Sequence, residues 1–173
     1  MTKNVRKHIS EIETANKYAG LNIQPTDRIH ITTKEKIGHI DKQQQGGYKP
    51  NGFWYGFGFS WIHWVQGEMP EWEYPNVFKI DVKENSILQI KTVDALMQFH
   101  EKYKIPINGM DTSLGDQWNF YIDWRQVGRD YVGIEINPYQ YSLRHELMWS
   151  YGWDTESGCV WNSVGIEHIE RLK

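Results

Sequence analysis

Aromatic rings separated by glycines crowd two short stretches of the chain, 52–64 (GFWYGFGFSWIHW) and 149–161 (WSYGWDTESGCVW). Six of the nine tryptophans fall inside them. A core can be filled with Leu and Val, which carry no polar atom, whereas each buried indole or phenol needs an acceptor. Glycine lets bare backbone approach the rings closely. The combination fits a cleft walled by rings and main chain, suited to a flat, partly charged ligand. Ordinary core packing around a bend is the alternative for any single ring.

The length of 173 residues fits one domain with chain enough for a real core. The net charge of -3 gives no basic footprint for nucleic acid, whose phosphates call for Lys and Arg. A single cysteine, Cys159, precludes an internal disulfide framework and fits a reducing compartment. No apolar run approaches a membrane span, and the polar segment 1–20 does not read as a signal peptide. The expectation is a soluble, cytoplasmic protein without a membrane partner.

Apolar residues at helical spacing over 1–20, followed by a Pro-containing linker, predict an N-terminal helix and linker over 1–25. A single α+β domain is expected over 26–173. Alternation predicts strands at 28–33, 53–59, 76–82, 86–90 and 131–136, with extended chain at 158–161 and 165–172. The turn at Glu84 and Asn85 predicts that 76–82 and 86–90 are neighbours in a hairpin. Short helices are predicted at 34–40, 60–65, 92–103, from Asp123 and over 142–148, and a long loop over 104–117. This irregular alternation favours α+β with a mixed, mostly antiparallel sheet and flanking short helices over a doubly wound parallel sheet.

Dinucleotide-binding, P-loop and nucleophile-elbow glycine motifs are absent, as is a zinc-protease helix. No metal site is expected, since one cysteine cannot supply two-cysteine zinc spacing. Other segments carry a resemblance: 49–56 (KPNGFWYG), 122–127 (IDWRQV) with 131–134 (YVGI), and 151–154 (YGWD) with 157–162 (SGCVWN). They resemble a family of proteins from bacteriophages, bacteria and large DNA viruses with the pattern KPxGLW and GWDxxSGCIWN. A more distant similarity is to NAD-dependent ADP-ribosyltransferases. His30 and Thr32 look like their first-strand motif, which binds the dinucleotide. Trp54 and Tyr55 look like the aromatic strand that flanks nicotinamide, and Glu135 falls where a late strand carries the catalytic acid. That resemblance implies a split β-sandwich, NAD as substrate and transfer of ADP-ribose to an unidentified acceptor. Gly56 stands where Ser or Thr is common, and Gly133, two before Glu135, does not support the paired-acid pattern of arginine-modifying members.

Breaking the C–N bond to nicotinamide passes through an oxocarbenium-like transition state, which a nearby carboxylate stabilises. Glu135 is the candidate, with a solvated strand position as its bland alternative. Asp154, among aromatic residues, is a second candidate catalytic acid or else a turn cap. Trp54, Tyr55 or Trp153 would stack on the cofactor ring, and His30 would bind a ribose hydroxyl or serve as a structural hydrogen-bonding residue. The competing reading is a non-catalytic module that holds a small-molecule nucleotide or a protein in the aromatic cleft. Stacking on single-stranded nucleic acid is a third, disfavoured by the charge.

Overall fold

The computed structural model describes residues 18–107, 109 and 119–173. The predicted N-terminal helix falls almost wholly outside them, as does the larger part of the predicted loop over 104–117. Among the described residues the strands are β1 (Arg28–Thr32), β2 (Gly46–Gly47), β3 (Phe53–Phe57), β4 (Asn76–Val82), β5 (Ile87–Ile90), β6 (Lys104–Pro106), β7 (Phe120–Asp123), β8 (Gly133–Ile136), β9 (Ser157–Val160) and β10 (Ile166–Arg171). The helices are α1 (Ser60–Glu68), α2 (Val93–Tyr103), α3 (Trp124–Asp130) and the single turn α4 (Met148–Tyr151). The class is α+β, as the pattern predicts.

Seven strands form one sheet in the order β10-β4-β1-β3-β9-β8-β5, and β2-β7-β6 form a second. Every pairing is antiparallel except β5 with β8. The large sheet has to curl. Only residues 83–86 join β4 to β5, a reach of at most about 18 Å in extended chain. Five inter-strand spacings separate those strands, about 24 Å in a flat sheet. Curling closes that gap and creates an inner face. There Tyr55, Phe57, Phe78, Ile80, Val82, Ile87 and Val160 form one buried cluster.

The outer face carries two further clusters. Ile29, Ile31 and Val77 are covered by Ile62 and Val65 of α1 and by Tyr18 and Ile23. The segment read as a linker therefore contributes to the core. Ile90, Ile134 and Ile136 are covered by the crossover that makes β5 and β8 parallel. Its Leu96, Phe99, Ile122, Trp124 and Val127 pack with Trp149, Trp153 and Trp161.

Caps explain several boundaries. The Thr92 hydroxyl accepts from the Ala95 N–H to start α2, and the Asp123 carboxylate accepts from the Arg125 N–H to start α3. Ser60 opens α1 without capping it, because its hydroxyl bonds the Glu156 carbonyl.

Four sequence-based expectations are corrected. Residues 34–40 are not helical; the Ile40 N–H bonds the Ser163 hydroxyl and its carbonyl accepts from the Ser163 N–H. The expected hairpin of 76–82 with 86–90 does not form, because β4 pairs with β1 and β10 while β5 pairs with β8. Within 142–148, Leu143 closes a 3-10 turn, and the α-helix begins only at Met148. Within 104–117, Lys104–Pro106 is a strand, paired with β7.

Candidate functional site

Successive residues of a strand point to opposite faces, and this alternation sorts the predicted site residues into two places. Arg28, His30 and Thr32 share one face of β1, and the register carries that face through Tyr55 of β3 and Gly158 of β9 to Glu135 of β8. Trp54, Ser157 and Cys159 take the outer face.

On the inner side Glu135 is 4 % exposed and fully engaged. Its Oε1 accepts from Arg28 Nε at 2.5 Å and from the Tyr55 hydroxyl at 2.9 Å, and its Oε2 accepts from Arg28 Nη2 at 3.2 Å. Burial and the Glu135 carboxylate together push the Tyr55 phenol well above its ordinary pKa. Tyr55 reaches Glu135 by crossing Gly158, where a Cβ would lie 2.5 Å from the ring. Arg28 and Glu135 line a polar cavity of about 440 Å³ with Lys79, Glu84, Gln89 and Asn137. Arg28 was not singled out from the sequence. Its position two residues before His30 in an alternating strand was the available signal.

His30 is held by a 2.7 Å hydrogen bond between Nδ1 and the Trp54 carbonyl, with its ring 4.4 Å from that of Phe53. Burial pushes its pKa down to about 4. The imidazole is therefore neutral near pH 7, and Nδ1 donates to the carbonyl. Thr32, half-buried at the end of β1, lines neither this cavity nor the one opposite.

The outer face holds the aromatic crevice. A cavity of about 370 Å³ lies between the two outer clusters, with β1 and β3 at His30, Ile31, Trp54 and Tyr55 among its lining. Trp61, Trp72 and Tyr74 contribute from the side of α1, and Lys49, Trp153 and Ser157 from the other. Both glycine–aromatic segments thus converge on one hollow. Trp54 meets Trp153 edge to face at 4.8 Å, while Trp61 stacks on Trp64 at 4.8 Å with planes 12° apart. Gly56 allows this packing, since a Cβ there would sit 2.5 Å from that of Trp61.

Asp154 follows Trp153 in a left-handed backbone conformation, φ 62°. Its carboxylate pairs with Arg144 at 3.4 Å. Of the seven residues predicted for the site, Trp54 and Trp153 turn their rings to the crevice, with Asp154 next in chain; His30 and Tyr55 border it but direct their rings to the inner face with Glu135, and Thr32 lies apart. Lys49, part of the motif but not singled out, belongs to it as well. Cys159 is wholly buried beside this face, and burial raises its thiol pKa well above the ordinary value.

Among the described residues, no group of three His, Cys, Asp or Glu side chains is placed to hold a metal ion, and no helix is long and apolar enough to cross a membrane. Comparison with family models, with curated proteins and with solved structures finds no match.

Proposed function

We propose that the outer crevice binds a nucleotide, and that the protein is an ADP-ribosyltransferase-like enzyme whose substrate is NAD. The observation that carries this reading is the convergence of Trp54 and Trp153, from the two glycine–aromatic segments, with Trp61, Trp72 and Tyr74 on one ring-walled cavity. Desolvated indole faces favour flat rings through stacking. The reading expects a split β-sandwich; the chain carries two sheets, of seven and three strands. In the reaction the bond between ribose C1′ and the nicotinamide nitrogen breaks and nicotinamide leaves with the bonding pair. The acceptor then adds to C1′ and loses a proton. Asp154, adjacent to Trp153, is the carboxylate assigned to the developing positive charge. Glu135 is assigned to holding β1, β3 and β8 together, because its acceptors are taken by Arg28 and Tyr55.

The test is incubation with NAD, reading nicotinamide release by chromatography and binding by calorimetry. Release is expected from the wild type, falling about 100-fold in Asp154→Asn, the scale set by loss of one stabilising group in a preorganised site. Absence of both heat and nicotinamide would remove the proposal. The pairing of Asp154 with Arg144 favours a second reading, a nucleotide-binding module without turnover. Saturable heat with no nicotinamide would decide for it.

A further inference from the structure

Four indoles of the outer face meet in one chain of ring contacts: Trp54, Trp153, Trp124 and Trp149. The buried members of this neighbourhood satisfy their N–H groups with one exception. Trp124 donates to the Gly47 carbonyl at 3.0 Å, Trp149 to His100 Nδ1 at 3.1 Å and Trp161 to the Tyr131 carbonyl at 3.0 Å. Trp153, 2 % exposed and lining the crevice, has an Nε1 with no acceptor among the described residues. A buried donor left unpaired is costly and uncommon.

Lys49 lines the same crevice. The Lys49 ammonium lies 5.4 Å from the centre of the Trp54 ring. Its stem runs across Gly152, where a Cβ would meet Lys49 Cε at 2.9 Å. The side chain is thereby placed by the second glycine–aromatic segment against a ring of the first. Among the described residues Lys49 forms no hydrogen bond or ion pair. Asp154, whose charge favours the protonated form, is committed to Arg144. Surrounding atoms nevertheless lower the Lys49 pKa from its ordinary value. A cation at the rim of a ring-walled cavity is complementary to a flat ring carrying an anionic, acceptor-rich group.

We infer that Lys49, seated against the Trp54 ring at the rim of the crevice, is the contact for the ligand's anionic group, so that the crevice selects a ring bearing phosphate over the same ring without it. This rests on the proposed nucleotide site and names the part of the nucleotide that is recognised. In NAD the pyrophosphate supplies such a group. A free nucleoside does not.

The experiment titrates the full chain with AMP and with adenosine, following calorimetry or intrinsic tryptophan emission, and reads the ratio of the two dissociation constants. The expected ratio favours AMP by about tenfold or more, the scale of one charge-assisted hydrogen bond. It narrows toward one in Lys49→Met and is kept in Lys49→Arg. Lys36→Met, on an exposed stretch outside the crevice, serves as the control for overall charge and leaves the ratio unchanged. Far-ultraviolet circular dichroism confirms that each variant is folded. Equal affinity for AMP and adenosine in the wild type, or a preference for AMP that survives in Lys49→Met, overturns the inference while the nucleotide site stands. Binding of neither overturns both.

Discussion

At the scale of single residues, Glu135 separates two accounts of an acidic side chain on a late strand. With side chains 5 % and 14 % exposed, Glu135 and Arg28 form a buried ion pair. Glu135→Gln removes the buried counter-charge and leaves the guanidinium only the exposed Glu84 carboxylate at 3.1 Å, so a loss of about 3 kcal/mol in urea-unfolding stability is expected, the low end for a broken buried pair. Nicotinamide release per folded molecule is expected to be kept, which a catalytic acid could not allow. Gly158→Ala is expected to cost about 1–3 kcal/mol, the usual scale of overpacking, because the added methyl strikes the Tyr55 ring. The readout is the thermal midpoint. His30 gives a pH signature. Its folded pKa of about 4 lies below the unfolded value near 6.5, so the unfolded chain binds the extra proton first. Its contribution is fully present above about pH 6.5 and is lost as pH falls toward 4. Urea midpoints taken between these limits should slope downward with acid in the wild type, and less steeply in His30→Gln.

At the scale of elements, the strands were legible because their alternation is strong, and β1, β4 and β8 fall where the pattern puts them. The same alternation shows why Trp54 and Tyr55, neighbours in β3, cannot direct both rings to one face. Trp54 faces the crevice and Tyr55 reaches Glu135 inside. The partners of β5 were not legible, because a short turn after β4 has the local chemistry of a hairpin. Only packing of the 93–130 crossover against Ile90, Ile134 and Ile136 selects β8 instead. The segment 34–40 read as helix for a similar reason: its last residue, Ile40, is bonded by Ser163, far along the chain. Gly56→Ala belongs to this scale, since it forces α1 away from β3 at Trp61. It should weaken AMP binding more than it lowers the thermal midpoint, because it moves a wall of the crevice.

At the scale of the whole molecule, curling of the large sheet divides the residues expected in one site between an enclosed inner face and an outer crevice. The convergence of both aromatic segments was legible from composition and spacing alone. The separation of Glu135 from that convergence was not, since face assignment depends on the register of β8, β9 and β3. Lys49 escaped notice for a related reason. The contact between Gly152 and its stem sets it against the second glycine–aromatic segment, far along the chain.

The position of β9, between β3 and β8, has a kinetic consequence. The strand that completes the centre of the sheet is synthesised after both of its neighbours and must insert between them. Contacts of such sequence separation are slow to form, on a scale of about milliseconds to seconds for sheet-dominated chains. Until insertion, the indoles of 52–64 lack Trp153 as a neighbour. A ribosome-bound chain ending before residue 149 should therefore recruit chaperones that grip aromatic surface.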